Sequence, residues 1–309
     1  MNYDIIADIH GQEGKLIALL AKLGYRIKDG AYRHPEGRVA LFLGDLVDRG
    51  PGQIEVLNIV RNMIEAGSGR AIMGNHEWNA IGFATLDPES GDFLRPRSEN
   101  KIKEHKEFLK QVGQDSALHE EYVAWFKTLP PFLDLGDIRL CHAWWNPACI
   151  AGIADNMDSN GALNEDFLIE SFRKGSEAWR VMEAVTKGYE IKLPDGCFFL
   201  DHNGAERKDI RVRWWDETAT DYRNAALVPE NERGRIPDLL LPGDVKLGAV
   251  GDVPTFVGHY WLTGKPGVQN PTTAVLDFGA GKSGPLVAYR WSGEERLVNE
   301  NIVFAGGEN

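Results

Sequence analysis

VALFLGDLVDRG, residues 39–50, joins a run of apolar residues to a turn rich in glycine and charge. The apolar residues from Val39 to Leu43 predict a buried strand, and Gly44 and Gly50 permit tight turns around the polar side chains between them. In an open α/β sheet, binding residues gather in the loops that follow the carboxyl ends of the strands. The stretch therefore predicts an α/β fold with a functional site just after this strand.

The order strand, loop, helix recurs on both sides of this stretch. Residues 3–8 form a short apolar run, and Leu57, Val60 and Ile64 mark one face of a helix before a further strand at residues 71–73. Successive βαβ units predict a parallel sheet covered by helices. The first helix is predicted from leucines spaced for one helix face and followed by Gly24, namely Leu16, Leu19, Leu20 and Leu23.

The pattern changes in the rest of the chain. Residues 99–128 are charged and helix-prone, which predicts an inserted helical segment, and strand-like runs return between Thr255 and Phe304. The simplest organisation is one domain, residues 1–309, with insertions at about 83–135 and 146–250. Between these parts the sequence predicts a hairpin at 132–141, helix at 160–186 and long loops at 188–250.

Charge and composition exclude several classes of partner. The chain has 34 Lys and Arg against 46 Asp and Glu, a net charge of −12, which disfavours binding to nucleic acid polymers and to anionic membranes. No apolar run approaches the ~20 residues that span a bilayer. Three cysteines without a CxxC pair, and an N-terminus without the pattern of a signal peptide, lead us to expect a cytoplasmic protein.

Metal-binding residue types follow each of the first three predicted strands. Asp8 and His10 follow the first strand, Asp45 follows the second, and Asn75 follows the third. Taken singly, such residues more often cap helices, satisfy a core hydrogen bond or occupy a left-handed turn. Three such clusters at adjacent strand ends instead favour one site for divalent cations, in which a carboxylate with two oxygens can bridge a pair.

Three motifs give the chain a recognisable resemblance. DIHG at 8–11, GDLVDRG at 44–50 and GNHE at 74–77 resemble the signatures of calcineurin-like metallophosphoesterases, in particular the phosphoprotein phosphatase and symmetrical dinucleoside tetraphosphatase branch. His142 and His259 occupy the places of the family's two remaining histidines, and LDFGA at 276–280 is similar to its closing strand motif. The resemblance implies a central β-sandwich of two sheets flanked by helices.

The resemblance also implies a site with two divalent metal ions. Manganese is the expected metal, with iron or zinc as alternatives. Asp45 would bridge the ions, and a hydroxide between them would attack phosphorus directly. The implied ligands are Asp8 and His10 for the first ion and Asn75, His142 and His259 for the second.

Four further residues take catalytic roles by the same resemblance. His76 would donate a proton to the leaving oxygen, and Asp48 would bind its other ring nitrogen. Arg49 would bind the phosphoryl oxygens, and Arg233, in NERG at 231–234, is the candidate for a second phosphate-binding arginine. The alternatives left open for that second role are Arg211, Arg213 and Arg223.

The sequence departs from the family pattern near the site. Trp144 and Trp145 follow His142 and predict aromatic walls beside the second metal, and Trp261 stands where many relatives outside this branch have a histidine. Ala7 replaces a usual glycine, which we expect to have little effect. Residues 279–283, GAGKS, look like part of a phosphate-binding P-loop, but Leu276 breaks that pattern and a hairpin turn is the better interpretation.

These features predict a phosphate monoesterase. We expect a serine/threonine or tyrosine protein phosphatase, with a nucleotide hydrolase similar to bis(5'-nucleosyl)-tetraphosphatases as the alternative and a catalytically silent binding module as the second. The partner would be a phosphorylated protein or a small phosphoester. The sequence gives no basis for predicting an oligomeric state.

Overall fold

The computed structural model describes residues 1–201, 204–248 and 251–307. Two sheets form its centre. One has five strands in the order β16-β15-β1-β4-β5, and the other has four in the order β14-β13-β7-β6. The strands are β1 (Tyr3–Ile6), β2 (Arg26–Lys28), β3 (Ala31–Arg33), β4 (Val39–Phe42), β5 (Gly69–Ala71), β6 (Phe132–Asp134), β7 (Arg139–Cys141), β8 (Glu190–Lys192), β9 (Phe199–Leu200), β10 (Glu206–Arg207), β11 (Asp209–Val212), β12 (Ala226–Leu227), β13 (Thr255–Val257), β14 (Thr273–Val275), β15 (Leu286–Trp291) and β16 (Ile302–Ala305).

Helices cover the outer faces of the sheets and form the insertions. They are α1 (Glu13–Leu23), α2 (Gln53–Glu65), α3 (Asn75–Ala84), α4 (Glu99–Glu104), α5 (Lys106–Val112), α6 (Ala117–Phe126), α7 (Pro147–Ala154), α8 (Glu165–Glu170), α9 (Glu177–Lys187) and α10 (Tyr222–Ala225), with 3₁₀ turns at Glu230–Arg235 and Asn299–Asn301. None of the helices in the described ranges is long and apolar enough to cross a membrane.

A shared apolar layer joins the two sheets. Ile5 and Leu41 from the first sheet pack with Leu140 and Phe256 from the second, and all four are fully buried. A second core lies between the sheets and the helices and includes Leu16 of α1. This confirms the predicted β-sandwich flanked by helices.

The predicted βαβ units are present. β1 pairs in parallel with β4, which pairs in parallel with β5, and α1 and α2 make the crossovers. A hairpin of β2 and β3 lies between α1 and β4 and was not predicted. β2 is exposed along its length and β3 has only Ala31 buried, so neither strand shows an apolar pattern, but the Asp29-Gly30 turn, with φ of 53° and 82°, was a usable hairpin signal.

The C-terminal strands are divided between the two sheets. β13 and β14 pair in parallel in the second sheet, whereas β15 and β16 pair antiparallel in the first. The predicted hairpin turn at 279–283 is therefore wrong, because that loop crosses from one sheet to the other. Lys15 on α1 holds the loop by donating to the carbonyls of Ala280 (2.7 Å), Lys282 (2.7 Å) and Gly284 (2.9 Å).

The insertions are partly as predicted. Residues 99–126 form α4 to α6, and β6 with β7 form the predicted hairpin. The helix predicted over 160–186 is two helices, because the chain turns at Gly175 (φ 94°) and the Ser176 side chain caps α9.

The loops predicted over 188–250 contain β8 to β12. Three of these strands form a small sheet, β12-β11-β8, around a core that includes Ile191, Ile210 and Ile236. Strands of two to four residues are too short to show an alternating pattern in the sequence. Residues 202–203 and 249–250 of this segment, and residues 308–309, lie outside the described residues. The single domain over 1–309 stays a prediction.

Candidate active site

Loops after β1, β4, β5, β7 and β13 meet at one edge of the sandwich. Several of their residues have positive φ, which non-glycine residues adopt rarely: His10 (49°), Asp45 (48°), Asp48 (71°), Arg49 (70°) and His259 (68°). Backbone strain of this kind persists only where surrounding contacts hold it, and it is concentrated at functional sites.

Glu77 supplies much of that support. Its buried carboxylate accepts hydrogen bonds from the backbone amides of Asp45 (2.8 Å), Leu46 (2.8 Å) and Gly74 (2.9 Å). Gly74 has no room for a Cβ, because Asp45 lies directly against it. The sequence analysis gave Glu77 no role, although a glutamate three residues after a helix N-cap is a known capping signal.

Asp45 lies at the centre of the polar cluster. One of its oxygens, Oδ2, is 3.5 Å from His10 Nε2, and the other, Oδ1, is 3.3 Å from His142 Nε2. Asn75 Oδ1 lies 2.8 Å from His259 Nδ1 and 3.2 Å from His142 Nε2. Two sets of ligand atoms, each within 4.8 Å of one another, could hold an ion: His10, Asp45 and His76 in one, and Asp45, His142 and His259 in the other.

Hydrogen bonding of the histidines indicates what fits between them. His10 Nδ1 bonds to the carbonyl of Val47 (2.9 Å) and His142 Nδ1 to that of Leu43 (2.6 Å), so both Nδ1 atoms are donors. Burial lowers the pKa of His10 to about 3, so its ring is neutral and its Nε2 carries a lone pair that faces the Asp45 carboxylate. Lone pairs directed at a carboxylate repel it unless a cation lies between them, which is the arrangement of a metal site.

Three buried atoms at the site also have no hydrogen-bond partner among the residues that the structure describes: Asp8 Oδ1, His10 Nε2 and His259 Nε2. Buried polar atoms are nearly always paired, so these exceptions call for a ligand. Asp8 itself is held by the backbone amide of His259, which donates to Oδ2 at 2.9 Å, and Gly258 leaves the space that Asp8 fills. The donor set therefore fits divalent cations.

The electrostatics of the site agree with this assignment. Burial, and then the charge of Asp277, raise the pKa of Asp8, and burial raises the pKa of Asp277 to about 6. Burial opposes protonation of His142, but Asp45 and Asp8 raise its pKa to about 10. Burial and the charge of Arg211 hold the pKa of His259 well below its ordinary value. Bound cations would offset this concentration of carboxylates.

His76 and Asp48 form a close pair beside the cluster. His76 Nδ1 lies 2.5 Å from Asp48 Oδ2, and its Nε2 lies 3.8 Å from Asp45 Oδ2. Burial acts to lower the pKa of His76, but Asp45 and Asp48 outweigh it and raise the pKa. The second oxygen of Asp48 accepts a hydrogen bond from His105 (2.7 Å), a residue that the sequence analysis did not identify.

Arg49 is exposed at the mouth of the site and stacks on an aromatic ring. Its guanidinium carbon is 4.1 Å from the centroid of the Trp261 ring, and the Lys282 ammonium is 4.9 Å from the same centroid. Gly281, the residue before Lys282, lies against His10 and Arg49, where a Cβ would contact both at 2.8 Å. The GAGKS loop therefore borders the site although it is not a P-loop.

The predicted second arginine, Arg233, belongs to the insertion at 146–250. Arg233 lies in a 3₁₀ turn and pairs with Glu230 at 3.6 Å. Burial and the charge of Arg233 lower the pKa of Arg213, and Arg223 donates to the carbonyl of Ile236. Of the four arginines considered, it is Arg211, on β11, whose charge lowers the pKa of His259.

The two tryptophans that follow His142 lie in different surroundings. Trp145 is 3% exposed and packs in the main core against Phe132, so it is not a wall of the site. Trp144 is half-buried and stacks parallel on Tyr189, with 4.2 Å between ring centroids. Trp214 is buried and donates to the carbonyl of Ala143 (3.0 Å), which supports the backbone beside His142.

Comparison with known proteins identifies relatives of this chain. It is 37% identical over 145 residues to bis(5'-nucleosyl)-tetraphosphatase PrpE [asymmetrical] of Bacillus subtilis, covering 46% of this chain and 57% of that protein. It is 51% identical over 76 residues to the protein of the same name from Bacillus velezensis, covering 25% of this chain and 30% of that protein. The matched part thus spans little more than half of the first relative and less than a third of the second.

A solved structure shares the fold. A protein serine/threonine phosphatase from Saccharomyces cerevisiae superposes with a TM-score of 0.50 at 16% identity, covering 100% of this chain and 80% of that one. The family model for calcineurin-like phosphoesterases matches residues 1–228, which include the motifs around Asp8, Asp45 and Asn75. Because that match spans most of the chain, this protein belongs to the calcineurin-like phosphoesterase family.

Proposed function

We propose that this protein is a metal-dependent hydrolase that cleaves the polyphosphate chain of a dinucleoside tetraphosphate. The relatives with the highest identity described above carry that activity in their names. The expected protein phosphatase activity has weaker support, because the likeness to a phosphatase structure concerns the fold alone. The nucleotide hydrolase, given above as the alternative, becomes the main proposal.

Two divalent ions would occupy the cluster around Asp45. Asp8 and His10 would hold one ion, and Asn75, His142 and His259 would hold the other. Asp45 would contact both ions. When bound, the ions would lower the pKa of a water molecule and offset negative charge on the phosphoryl group. Manganese is our expected metal, since mixed imidazole, amide and carboxylate donors suit it, with iron or zinc as alternatives.

The protein's own residues would position the phosphoryl group and move a proton. The raised pKa of His76 favours the protonated ring, and Asp48 directs Nε2 inward by holding Nδ1. His76 would thus protonate the leaving oxygen. Arg49 would bind phosphoryl oxygens, and we place Arg211 ahead of Arg233 as the second arginine because its charge reaches His259.

The observation that carries the substrate proposal is the pair of cations on Trp261. In the part of the chain that the structure describes, neither Arg49 nor Lys282 has a carboxylate partner, although the chain carries a net charge of −12. A monoester brings one phosphate to the site, and Arg49 alone can bind that phosphate. Lys282 is then available to the next phosphate of a chain.

Hydrolysis by chelator-stripped protein, with and without added Mn²⁺, tests the proposal. Diadenosine tetraphosphate, a phosphoserine peptide, p-nitrophenyl phosphate and its bis-ester would be compared by kcat/KM. We expect Mn²⁺-dependent cleavage with the tetraphosphate preferred. Separation of the product nucleotides would show whether cleavage gives two ADP or ATP plus AMP. Preference for the phosphopeptide would restore the protein phosphatase hypothesis, and no metal-dependent cleavage would favour a silent binding module.

Replacing Lys282 with glutamine should raise KM for diadenosine tetraphosphate by about 5- to 10-fold, since one charge-assisted contact to phosphate would be lost. The effect on p-nitrophenyl phosphate should be markedly smaller. Lys28→Gln, an exposed lysine on β2, makes the same change in net charge and serves as the control. Equal losses on both substrates would contradict a phosphate contact specific to Lys282.

A further inference from the structure

The carboxylate of Asp48 is shared between two histidines. Oδ2 lies 2.5 Å from His76 Nδ1, and Oδ1 lies 2.7 Å from His105 Nδ1. His105 and Asp48 are each 2% exposed, so solvent does not compete for these bonds. We propose that His105 is a positioning residue that holds Asp48 in the orientation that His76 requires. This inference rests on the proposed function, in which His76 is the proton donor.

The surroundings of His105 fix which nitrogen bonds to Asp48. The ring lies between Phe83 and Phe108, at centroid distances of 5.5 and 4.9 Å. Nε2 is buried and has no hydrogen-bond partner among the described residues. Since Nδ1 faces a carboxylate oxygen, Nδ1 carries the proton and donates it. The two aromatic rings, which we call the aromatic cage, therefore orient His105 so that its Nδ1 donates to Asp48.

Asp48 depends on such contacts for its geometry. Its backbone has a φ of 71°, and its amide donates to the side chain of Gln53 (2.7 Å). A carboxylate rotates about its last side-chain bond unless both oxygens are held. With His105 on Oδ1, Oδ2 stays directed at His76, and the His76 ring is held by Nδ1. Without His105, Oδ1 would be a buried acceptor lacking a donor.

The position of His105 in the chain gives the helical insertion a role. His105 lies between α4 and α5, and its backbone is fixed by bonds to Lys101 and Ile102 and from Leu109. The charged residues around it predicted only an inserted helical segment. The structure places one buried histidine of that segment against the His76 and Asp48 pair, so the insertion contributes to the reaction itself.

Two variants separate the hydrogen bond from the packing. His105→Phe keeps a ring in the cage but removes the donor, and His105→Asn keeps an amide donor near the place of Nδ1. The substrates are phenyl phosphate, which has a poor leaving group and needs protonation, and p-nitrophenyl phosphate, which needs it less. We expect His105→Phe to lower kcat about 10- to 100-fold on phenyl phosphate and less than 5-fold on p-nitrophenyl phosphate, with KM and bound manganese unchanged.

His105→Asn should recover most of that loss. A matched control is His119→Phe, which alters another buried histidine packed on Phe108 (5.7 Å) that does not bond to Asp48. Equal losses on the two substrates, or full activity of His105→Phe on phenyl phosphate, would overturn the proposal. If His105→Phe does not fold, His105→Asn is compared with His105→Gln, whose amide reaches towards Nε2 instead and should not restore kcat.

A readout that needs no turnover keeps this inference separate from the proposed function. The proton shared by His76 and Asp48 should give a low-field NMR resonance in the wild-type protein. His105→Phe should shift or broaden it, whereas His105→Asn and His119→Phe should retain it. An unchanged resonance in His105→Phe would refute the positioning role even if the wild-type protein proved inactive, and inactivity alone would refute only the proposed function.

Discussion

Substitution of His76 by asparagine is expected to lower kcat on phenyl phosphate by about 10²- to 10⁴-fold, the usual contribution of a general acid. His76 Nε2 faces the Asp45 cluster while Nδ1 is held by Asp48, so the ring can deliver a proton only on the side of that cluster. The loss should be smaller on p-nitrophenyl phosphate. Phosphate release at saturating Mn²⁺ measures kcat, and elemental analysis measures bound metal.

Metal content distinguishes the two roles that the geometry allows His76. Its Nε2 lies near enough to His10 and Asp45 to share an ion with them. We expect His76→Asn to retain the wild-type amount of manganese, because Asp8 and His10 would hold that ion without it. Loss of metal together with activity would make His76 a ligand and refute the general acid. His34→Asn, a histidine that contacts Tyr25 instead of the cluster, is the control.

The sequence predicted the site better than it predicted the outer parts of the fold. Asp8, Asp45 and Asn75 each follow a strand with a clear apolar run, and parallel pairing of those strands brings their ends together. Strand order alone thus determines that these side chains meet. The two histidines from later strands required the family resemblance, because nothing in their spacing relates them to the first three motifs.

The connections between strands were harder to predict. The loop at 279–283 resembles a hairpin turn because the apolar runs before and after it both predict strands. In the structure, however, β14 and β15 belong to different sheets. Which sheet a strand joins depends on contacts distant in sequence, such as those of β15 with β1. The same holds for β8 to β12, whose small sheet is stabilised by its own core.

Functional residues outside the motifs were missed for a related reason. His105 lies in a charged helical stretch and becomes significant only when α4 and α5 bring it to Asp48. Lys282 was rejected as part of a P-loop, but Lys15 holds its loop beside His10 and Arg49. In both cases the chemical role depends on the packing of an insertion or a crossover, and local patterns carry no information on that packing.

Asparagine at position 45 should deplete the protein of metal. Asp45 presents one oxygen towards His10 (3.5 Å) and the other towards His142 (3.3 Å), so among the described residues it is the one shared by both sets of ligand atoms. An amide keeps one oxygen and loses the charge, and it cannot offer an anionic oxygen to each of two cations. We expect Asp45→Asn to lose both of the roughly two ions bound per chain, with kcat reduced by at least about 10³-fold.

Local structure should survive that change, which makes metal content a direct measure of bridging. Asn retains an oxygen that can accept from the His76 amide (2.9 Å), and it tolerates the positive φ of 48° at this position. Asp29→Asn is the matched control, since Asp29 also has a positive φ (53°) but lies in the β2–β3 turn. Elemental analysis after dialysis counts the ions, and two ions retained by Asp45→Asn would refute the bridging role. Loss of one ion with the other retained would instead assign Asp45 to a single metal, because a bridging carboxylate stabilises both ions through the charge that each of them shares.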